Sequence, residues 1–351
     1  MAEKIGILTG GGDCPGLNAT IRAVVRKGIL DYGYDTYGIL EGWRGLIRGK
    51  VRKLNLDIVS GILPRGGTII GTSRTNPFGK NNEGDPERIL ENIKKLDLYA
   101  IVAIGGDDTL SVSHRLYEMG MNVICIPKTI DNDILGTDYT FGFDTAINIV
   151  MEAIDRLHTT AESHNRVMIV EVMGRHTGWI ATFAGIAGGA DGILIPEKHV
   201  DIDEVCELIK KRHKRGKRFS IVVVSEGIKI PFESEKDRGF VLQSDKKDEF
   251  GHVMLGGVGS VLAKMIEKET GFETRCTILG HTQRGGTPTA YDRILATRFG
   301  IAAVELINKG EFGKIVVLKG NKIIAKDIKD VVGRNKTVDD YWYDIARVFF
   351  G

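Results

Sequence analysis

At 351 residues the chain is too long for one ordinary domain and suggests two, and its 48 basic against 46 acidic residues (net +2) give no electrostatic case for a nucleic-acid partner. No apolar run approaches the roughly 18 residues that cross a bilayer, and the start lacks the long apolar core of a secretion signal, so a cytoplasmic protein without a membrane partner is expected. Cys14, Cys125, Cys206 and Cys276 are scattered without zinc spacing, which argues against disulfides and structural zinc.

Lys4 to Thr9 is a short apolar run that stops at Gly10, Gly11 and Gly12, after which Ala19, Ile21, Val24, Val25 and Ile29 recur at helical spacing. That pattern is a strand, a glycine turn and a helix. Backbone N–H groups at such a turn favour an anion, phosphate first. The loop is neither GxGxxG, since Pro15 stands in place of the third glycine, nor a P-loop, and a tight packing turn is the structural alternative.

The same grammar returns at Ala100 to Ile104, followed by Gly105, Gly106, Asp107 and Asp108 and a helical stretch from Leu110 to Met119. Two adjacent carboxylates at the end of a buried strand are costly unless a cation or hydrogen bonds compensate. Magnesium would, because it takes one or two protein carboxylates together with substrate phosphates. A solvated turn with a helix cap is the alternative. Val123 to Ile126 forms the next strand, and the loop from Pro127 to Asp133 gathers Lys128, Thr129, Asp131 and Asp133. An acid there can take a proton from a hydroxyl, its neighbour can orient it, and the lysine can hold phosphate charge. Local Asx turns would explain the same residues without chemistry.

Beyond Gly142 a helix runs through Ile147, Val150, Ile154 and Leu157, strands follow at Val167 to Val172 and Phe219 to Val224, and 229–251 reads as a charged surface excursion. Gly256 to Lys268 reads as a helix, Thr274 to Leu279 as a strand, and Asp292 to Ile307 as a helix. Val/Ile-rich runs between helices predict an α/β fold of parallel sheets covered on both faces, in two lobes facing across a cleft, with ligands at the strands' carboxyl ends. Arg74, Arg175 and Arg284 each stand near glycines, where a guanidinium can grip phosphate and the backbone can approach it.

In order along nearly the whole chain, Gly10–Ala19, Gly105–Asp107, Thr129–Asp133, Gly136–Phe143, Ser163–Arg166, Glu171–Arg175 and Leu279–Gly286 resemble the motifs of the phosphofructokinase family. The resemblance implies two Rossmann-like lobes, with residues 1–142 plus 283–333 forming a larger phosphoryl-donor lobe and 143–282 plus 334–351 a smaller sugar-phosphate lobe. It implies transfer of a phosphoryl group to the 1-hydroxyl of fructose 6-phosphate, with Asp131 as base and Thr129 at the sugar's reacting end. Met173, Gly174, Arg175 and Glu226 would line the sugar, and His281 and Arg284 would hold its 6-phosphate. Gly11, Arg74, Gly106 and Asp107 match the donor and Mg²⁺ side, Asp107 as metal ligand. Arg166 and Arg275 match arginines that reach in from a neighbouring subunit, which implies a homodimer or homotetramer with shared sites.

Asp108 and Lys128 replace glycines of the common bacterial ATP-dependent pattern and match the family's pyrophosphate-dependent branch. An aspartate beside the metal ligand puts charge where a nucleotide's α-phosphate would lie, and the lysine brings a cation to a compact donor. Some relatives carry the lysine and use ATP, so the pair carries the donor assignment. The rivals are an ATP-dependent enzyme and a non-catalytic sugar-phosphate sensor.

Overall fold

The computed structural model describes residues 2–79, 85–232, 235–239, 242–247, 250 and 253–350. The first elements are β1 (Lys4–Thr9), α1 (Leu17–Tyr32), β2 (Asp35–Ile39), α2 (Gly42–Ile47), β3 (Val51–Leu54), α3 (Pro86–Leu96), β4 (Leu98–Gly105), α4 (Asp107–Glu118) and β5 (Val123–Pro127). β1, β4 and β5 are buried at nearly every position, as strands covered on both faces must be. The helices between them start and stop where local chemistry dictates. Asp85 accepts from the Arg88 N–H with Pro86 at the first position of α3, and α1 ends at Gly33, left-handed at φ 68°. α4 opens at Asp107, three residues before its apolar periodicity becomes legible, so Asp107 and Asp108 occupy the first turn. The positive end of the helix dipole therefore offsets part of their repulsion.

The middle of the chain forms α5 (Phe143–His164), β6 (Val167–Val172), α6 (Trp179–Ala187), β7 (Gly192–Leu194), α7 (Ile202–Lys214) and β8 (Ser220–Ser225). It continues with β9 (Ile230–Phe232), β10 (Glu235–Gly239), β11 (Leu242–Lys247), β12 (Val253–Leu255), α8 (Val258–Thr270) and β13 (Thr274–Ile278). A parallel sheet results, in the order β13-β6-β8-β7. The stretch expected as a surface excursion holds strands instead: β9 pairs with β10, and β11 with β12, both antiparallel. Strands this short and this charged carry no apolar period to read.

The chain then forms α9 (Ala290–Asn308), β14 (Lys314–Lys319), β15 (Lys322–Asp327) and α10 (Asp340–Arg347). β14 returns to the first sheet, whose full order is β15-β14-β5-β4-β1-β2-β3. The five inner strands are parallel, as expected, and an antiparallel strand is added at each edge. At β14–β15 the reason is local: Lys319 pairs with Lys322 across a two-residue turn, too short for any crossover. α10 lies on α6, with the Phe183 and Trp342 rings 4.6 Å apart.

A buried carboxylate joins α5 to α9. Asp292, fully buried, accepts from the Thr145 N–H (2.8 Å) and Oγ1 (2.5 Å), while its Oδ1 has no partner. Burial, only partly offset by those hydrogen bonds, pushes its pKa up to about 6. A carboxyl that holds its proton more tightly in the folded chain stabilises the fold below its unfolded value of 3.8 and loses that contribution as pH rises through about 6. Asp292→Asn is expected to flatten the fall in thermal stability between about pH 4 and pH 6, a span worth on the order of 3 kcal/mol. A scanning-fluorimetry series across that range checks it, and an unchanged slope would assign the fall to other carboxyls.

Candidate active site

The loops leaving the carboxyl ends of β1, β4 and β5 meet the turn after β6 around a cavity of about 280 Å³. Gly11 and Gly12 line it from the first loop, which is tied to the 72–75 segment by Gly11 N–H to Ser73 O (3.1 Å) and Thr72 Oγ1 to Gly11 O (2.7 Å). A Cβ on Gly12 would come within 2.6 Å of the Arg284 guanidinium, so bare backbone lets that arginine reach the cavity. Arg74, Gly106, Asp107 and Asp108 complete this wall. One Asp107 oxygen accepts from the Gly333 N–H at 3.1 Å.

The loop after β5 supplies the second wall. Lys128 is 3% exposed, and its Nζ donates to the Gly12 carbonyl. Burial holds its pKa below the usual lysine range, against the pull of the nearby Cys14, Asp13 and Asp131. Asp131 is placed through its backbone: its N–H donates to Thr129 Oγ1 (3.0 Å) and its carbonyl accepts from Thr177 Oγ1 (3.4 Å). Asn132, left-handed at φ 51°, turns the loop and accepts from the Thr140 N–H (3.1 Å). The Asp131 carboxylate keeps one buried oxygen, Oδ1, with no partner. Two acids facing it carry raised pKa values. Asp133 and Glu226 are each pushed up to about 7, first by burial and then by the Asp131 charge. Both hold protons toward neutral pH, which lessens the repulsion among the acids around Asp131.

Met173, Arg175 and Glu226 form the third wall. Gly174, at φ 140°, is folded away from it: its carbonyl accepts from Ser225 Oγ (2.6 Å) and the Gly227 N–H (3.1 Å), and a Cβ would meet Ser225 Oγ at 2.4 Å. Gly174 thus shapes the turn that presents Met173 and Arg175 without lining the cavity, a correction to its expected contact.

Three further expected residues lie outside the cavity of the single chain. Arg166 directly precedes β6 and Arg275 is the second residue of the edge strand β13, so both stand at the amino ends of strands whose carboxyl ends face the site. Glu273 pairs with Arg166 (2.8 Å) and with Arg275 (2.6 Å). His281 is exposed on the short 3₁₀ turn Gly280–Arg284, whereas Arg284 of the same turn reaches the cavity.

The cavity also holds residues that sequence reasoning missed: Trp43, Ser73, Thr75, His176, Phe250 and Asn335. Trp43 Nε1, Ser73 Oγ and Thr75 Oγ1 are buried polar atoms without a hydrogen-bond partner. Ser73 and Thr75 flank Arg74 in an irregular segment, a flanking position that could have flagged them. Trp43 reads as core, and Asn335 arrives by an isolated bridge to Ile134 from the end of the chain.

Among the described residues no three His, Cys, Asp or Glu side chains form a ready metal cage. Asp107, lining the cavity, suits instead an ion held largely by a ligand's own oxygens, as magnesium on a phosphate donor is. Acids, a buried ammonium and three arginines around one cavity are the parts of a site that moves a phosphoryl group by positioning and charge.

The chain matches the profile of the family described as phosphofructokinase over residues 4–307. It is 55% identical to a pyrophosphate–fructose 6-phosphate 1-phosphotransferase of Streptomyces coelicolor, covering 99% of this chain and 100% of that protein. It is 50% identical to ATP-dependent 6-phosphofructokinase 3 of the same organism, covering 98% and 99%. The fold matches a solved structure titled as a pyrophosphate-dependent phosphofructokinase from Nitrosospira multiformis with a TM-score of 0.82 at 21% identity, over 97% of this chain and 87% of that one.

Proposed function

The chain belongs to the phosphofructokinase family, and from that footing we propose that it moves a phosphoryl group from pyrophosphate to the 1-hydroxyl of fructose 6-phosphate, giving fructose 1,6-bisphosphate and phosphate. The presence of Asp108 and Lys128 in one cavity carries the choice of donor. Burial holds the Lys128 pKa below the usual lysine range, and a compact polyanion in the cavity favours its charged form. The charged lysine then stabilises negative charge on the departing phosphate. Asp108, lining the same cavity, repels the additional phosphate a nucleotide would place there.

Asp131 accepts the hydroxyl proton in the cavity it lines, with Thr129 fixing the loop beneath it. Arg175, Met173 and Glu226 receive the sugar, and Arg284 meets its phosphate beside Gly12. Gly11, Gly106 and Arg74 receive the donor. Asp107 would hold Mg²⁺, which supplies neutralising charge across the donor's oxygens when bound. Arg166 and Arg275, absent from the cavity of one chain, complete that of a neighbouring copy in a homodimer or homotetramer with shared sites, and His281, on the same turn as Arg284, joins it in holding the sugar's phosphate. The sheet of seven strands belongs to a donor lobe of residues 1–142 and 283–333, and the sheet of four to a sugar lobe of 143–282 and 334–351. The enzyme works in the cytoplasm.

Initial rates of fructose 1,6-bisphosphate formation with pyrophosphate or ATP at equal concentration test the reading. A clear pyrophosphate preference is expected. Preference for ATP would keep Asp131 and overturn the donor assignment, and activity with neither would leave a sugar-phosphate sensor.

A further inference from the structure

The last piece of cavity wall comes from a segment with no motif and no regular structure, residues 333–338, between β15 and α10. Its contacts are unusually concentrated on acids of the site and their loops. The Gly333 N–H donates to Asp107 Oδ1 (3.1 Å), Asn335 bridges Ile134 and lines the cavity, and the Lys336 N–H donates to the Asp133 carbonyl (2.8 Å). Lys336 Nζ then grips two carbonyls of the same loop, Thr137 O (3.1 Å) and Asp138 O (2.9 Å). The ammonium stands 5.0 Å from the centre of the Trp179 ring, and the Trp179 indole donates back to the Lys336 carbonyl (2.7 Å). Val338 is fastened to Glu197, which also accepts from the Gly178 N–H at the start of α6 (3.0 Å).

We propose that residues 333–338 form a positioning strap for phosphoryl transfer, in which Lys336, seated on Trp179, fixes the 131–138 loop against the Asp107 carboxylate. The argument rests on the phosphoryl-transfer reading above and deepens it by naming what sets the separation of the acids. Asp107 begins α4 and Asp131 follows β5 by four residues; the two loops are tied at their roots by Lys128 N–H to Gly105 O (3.0 Å), whereas the strap reaches Asp107 itself and the loop beyond Asp131. The strap touches both, and it is itself held by α6 beneath the smaller sheet's side of the site. A carboxylate pair used on a bound donor must be held to a fraction of an ångström, since misplacement of about 1 Å can cost on the order of 100-fold in rate. Deleting the Lys336 ammonium frees two carbonyls of the loop and leaves the Asp107 partner, Gly333, on a loosened segment.

Lys336→Met keeps a flexible apolar side chain and removes the ammonium, both its carbonyl contacts and its place over the Trp179 ring. It is expected to lower kcat with pyrophosphate about tenfold and to raise the magnesium concentration for half-maximal rate several-fold, with fructose 6-phosphate affinity within about twofold and with Lys336→Arg restoring most of the loss. A chain that is merely less heat-stable, with kcat and magnesium dependence unchanged, overturns the proposal. Should Lys336→Met not fold, Trp179→Phe retains the ring and deletes the indole N–H. A rise of about threefold in magnesium requirement is expected there, and none would equally overturn it. Calorimetric binding of magnesium pyrophosphate separates the two readings. If the wild-type chain turns over neither donor, the functional reading fails, while weaker binding in Lys336→Met still supports the strap and equal binding removes it.

Discussion

Asp131→Asn is expected to reduce kcat by about 1,000-fold, within the range general-base removal spans, while the dissociation constant for fructose 6-phosphate changes by no more than a few-fold. The selectivity of the loss follows from how the residue is held. Its backbone N–H and carbonyl are engaged by Thr129 and Thr177, and Oδ1 makes no bond to lose. Asparagine therefore inherits the same place and fails only as a proton acceptor. A second consequence separates this account from a general disturbance. Asp131 is a source of the repulsion that pushes Asp133 and Glu226 up to about 7, so in the variant both should ionise at lower pH. Their raised pKa values stabilise the wild-type fold at low pH and lose that contribution as pH passes about 7, so the ligand-free variant should lose less stability between pH 6 and pH 8. Steady-state rates, calorimetry with fructose 6-phosphate and melting curves at the two pH values check all three parts. Unchanged turnover would remove Asp131 from the base role.

Asp108→Gly is expected to shift the ratio of kcat/KM for pyrophosphate over ATP at least tenfold toward ATP. The carboxylate stands in the first turn of α4, beside Asp107 and across the cavity from Lys128. Its removal takes away both bulk and charge from the direction in which a nucleotide extends past its transferred phosphate. A cost in stability of about 1 kcal/mol should accompany it, because a favourable charge at the helix start is lost and glycine enters the helix. Rates with each donor at several concentrations decide the matter. A ratio that does not move would show that donor choice resides elsewhere in the wall, with Trp43, Ser73 and Thr75 the next residues to test.

The parts of the molecule legible in the sequence are those where a buried strand ends in a loop of unusual composition. Val/Ile runs fix β1, β4 and β5, and the glycines, acids and lysine that follow them have few other uses, so Gly11, Asp107, Lys128 and Asp131 could be named and are gathered in one cavity. What escaped reading depends on distance along the chain. Asn335 and Lys336 act through backbone bridges to Ile134 and Asp133, some 200 residues away, and no periodicity announces such a contact. The edge strands β3 and β15 also escaped: half of their residues are charged and neither forms a continuous apolar run. Arg166, Arg275 and His281 came from the resemblance alone, and nothing in one chain's geometry draws them to the cavity.

The place of β14 in the first sheet bears on how the protein can be made. β5 contributes Val123, Ile124, Cys125 and Ile126, each wholly buried, yet the strand beside it, β14, is encoded roughly 190 residues later, about 10–40 seconds of synthesis at ordinary elongation rates. Through that interval the ribosome holds a nascent chain whose sheet has a long, apolar, open edge, while everything from α5 to α9 emerges and begins to fold. The strand that will be interior is, for a time, the most adhesive part of the chain. The window in which that edge is open to mispairing runs from the emergence of β5 from the exit tunnel to that of β14.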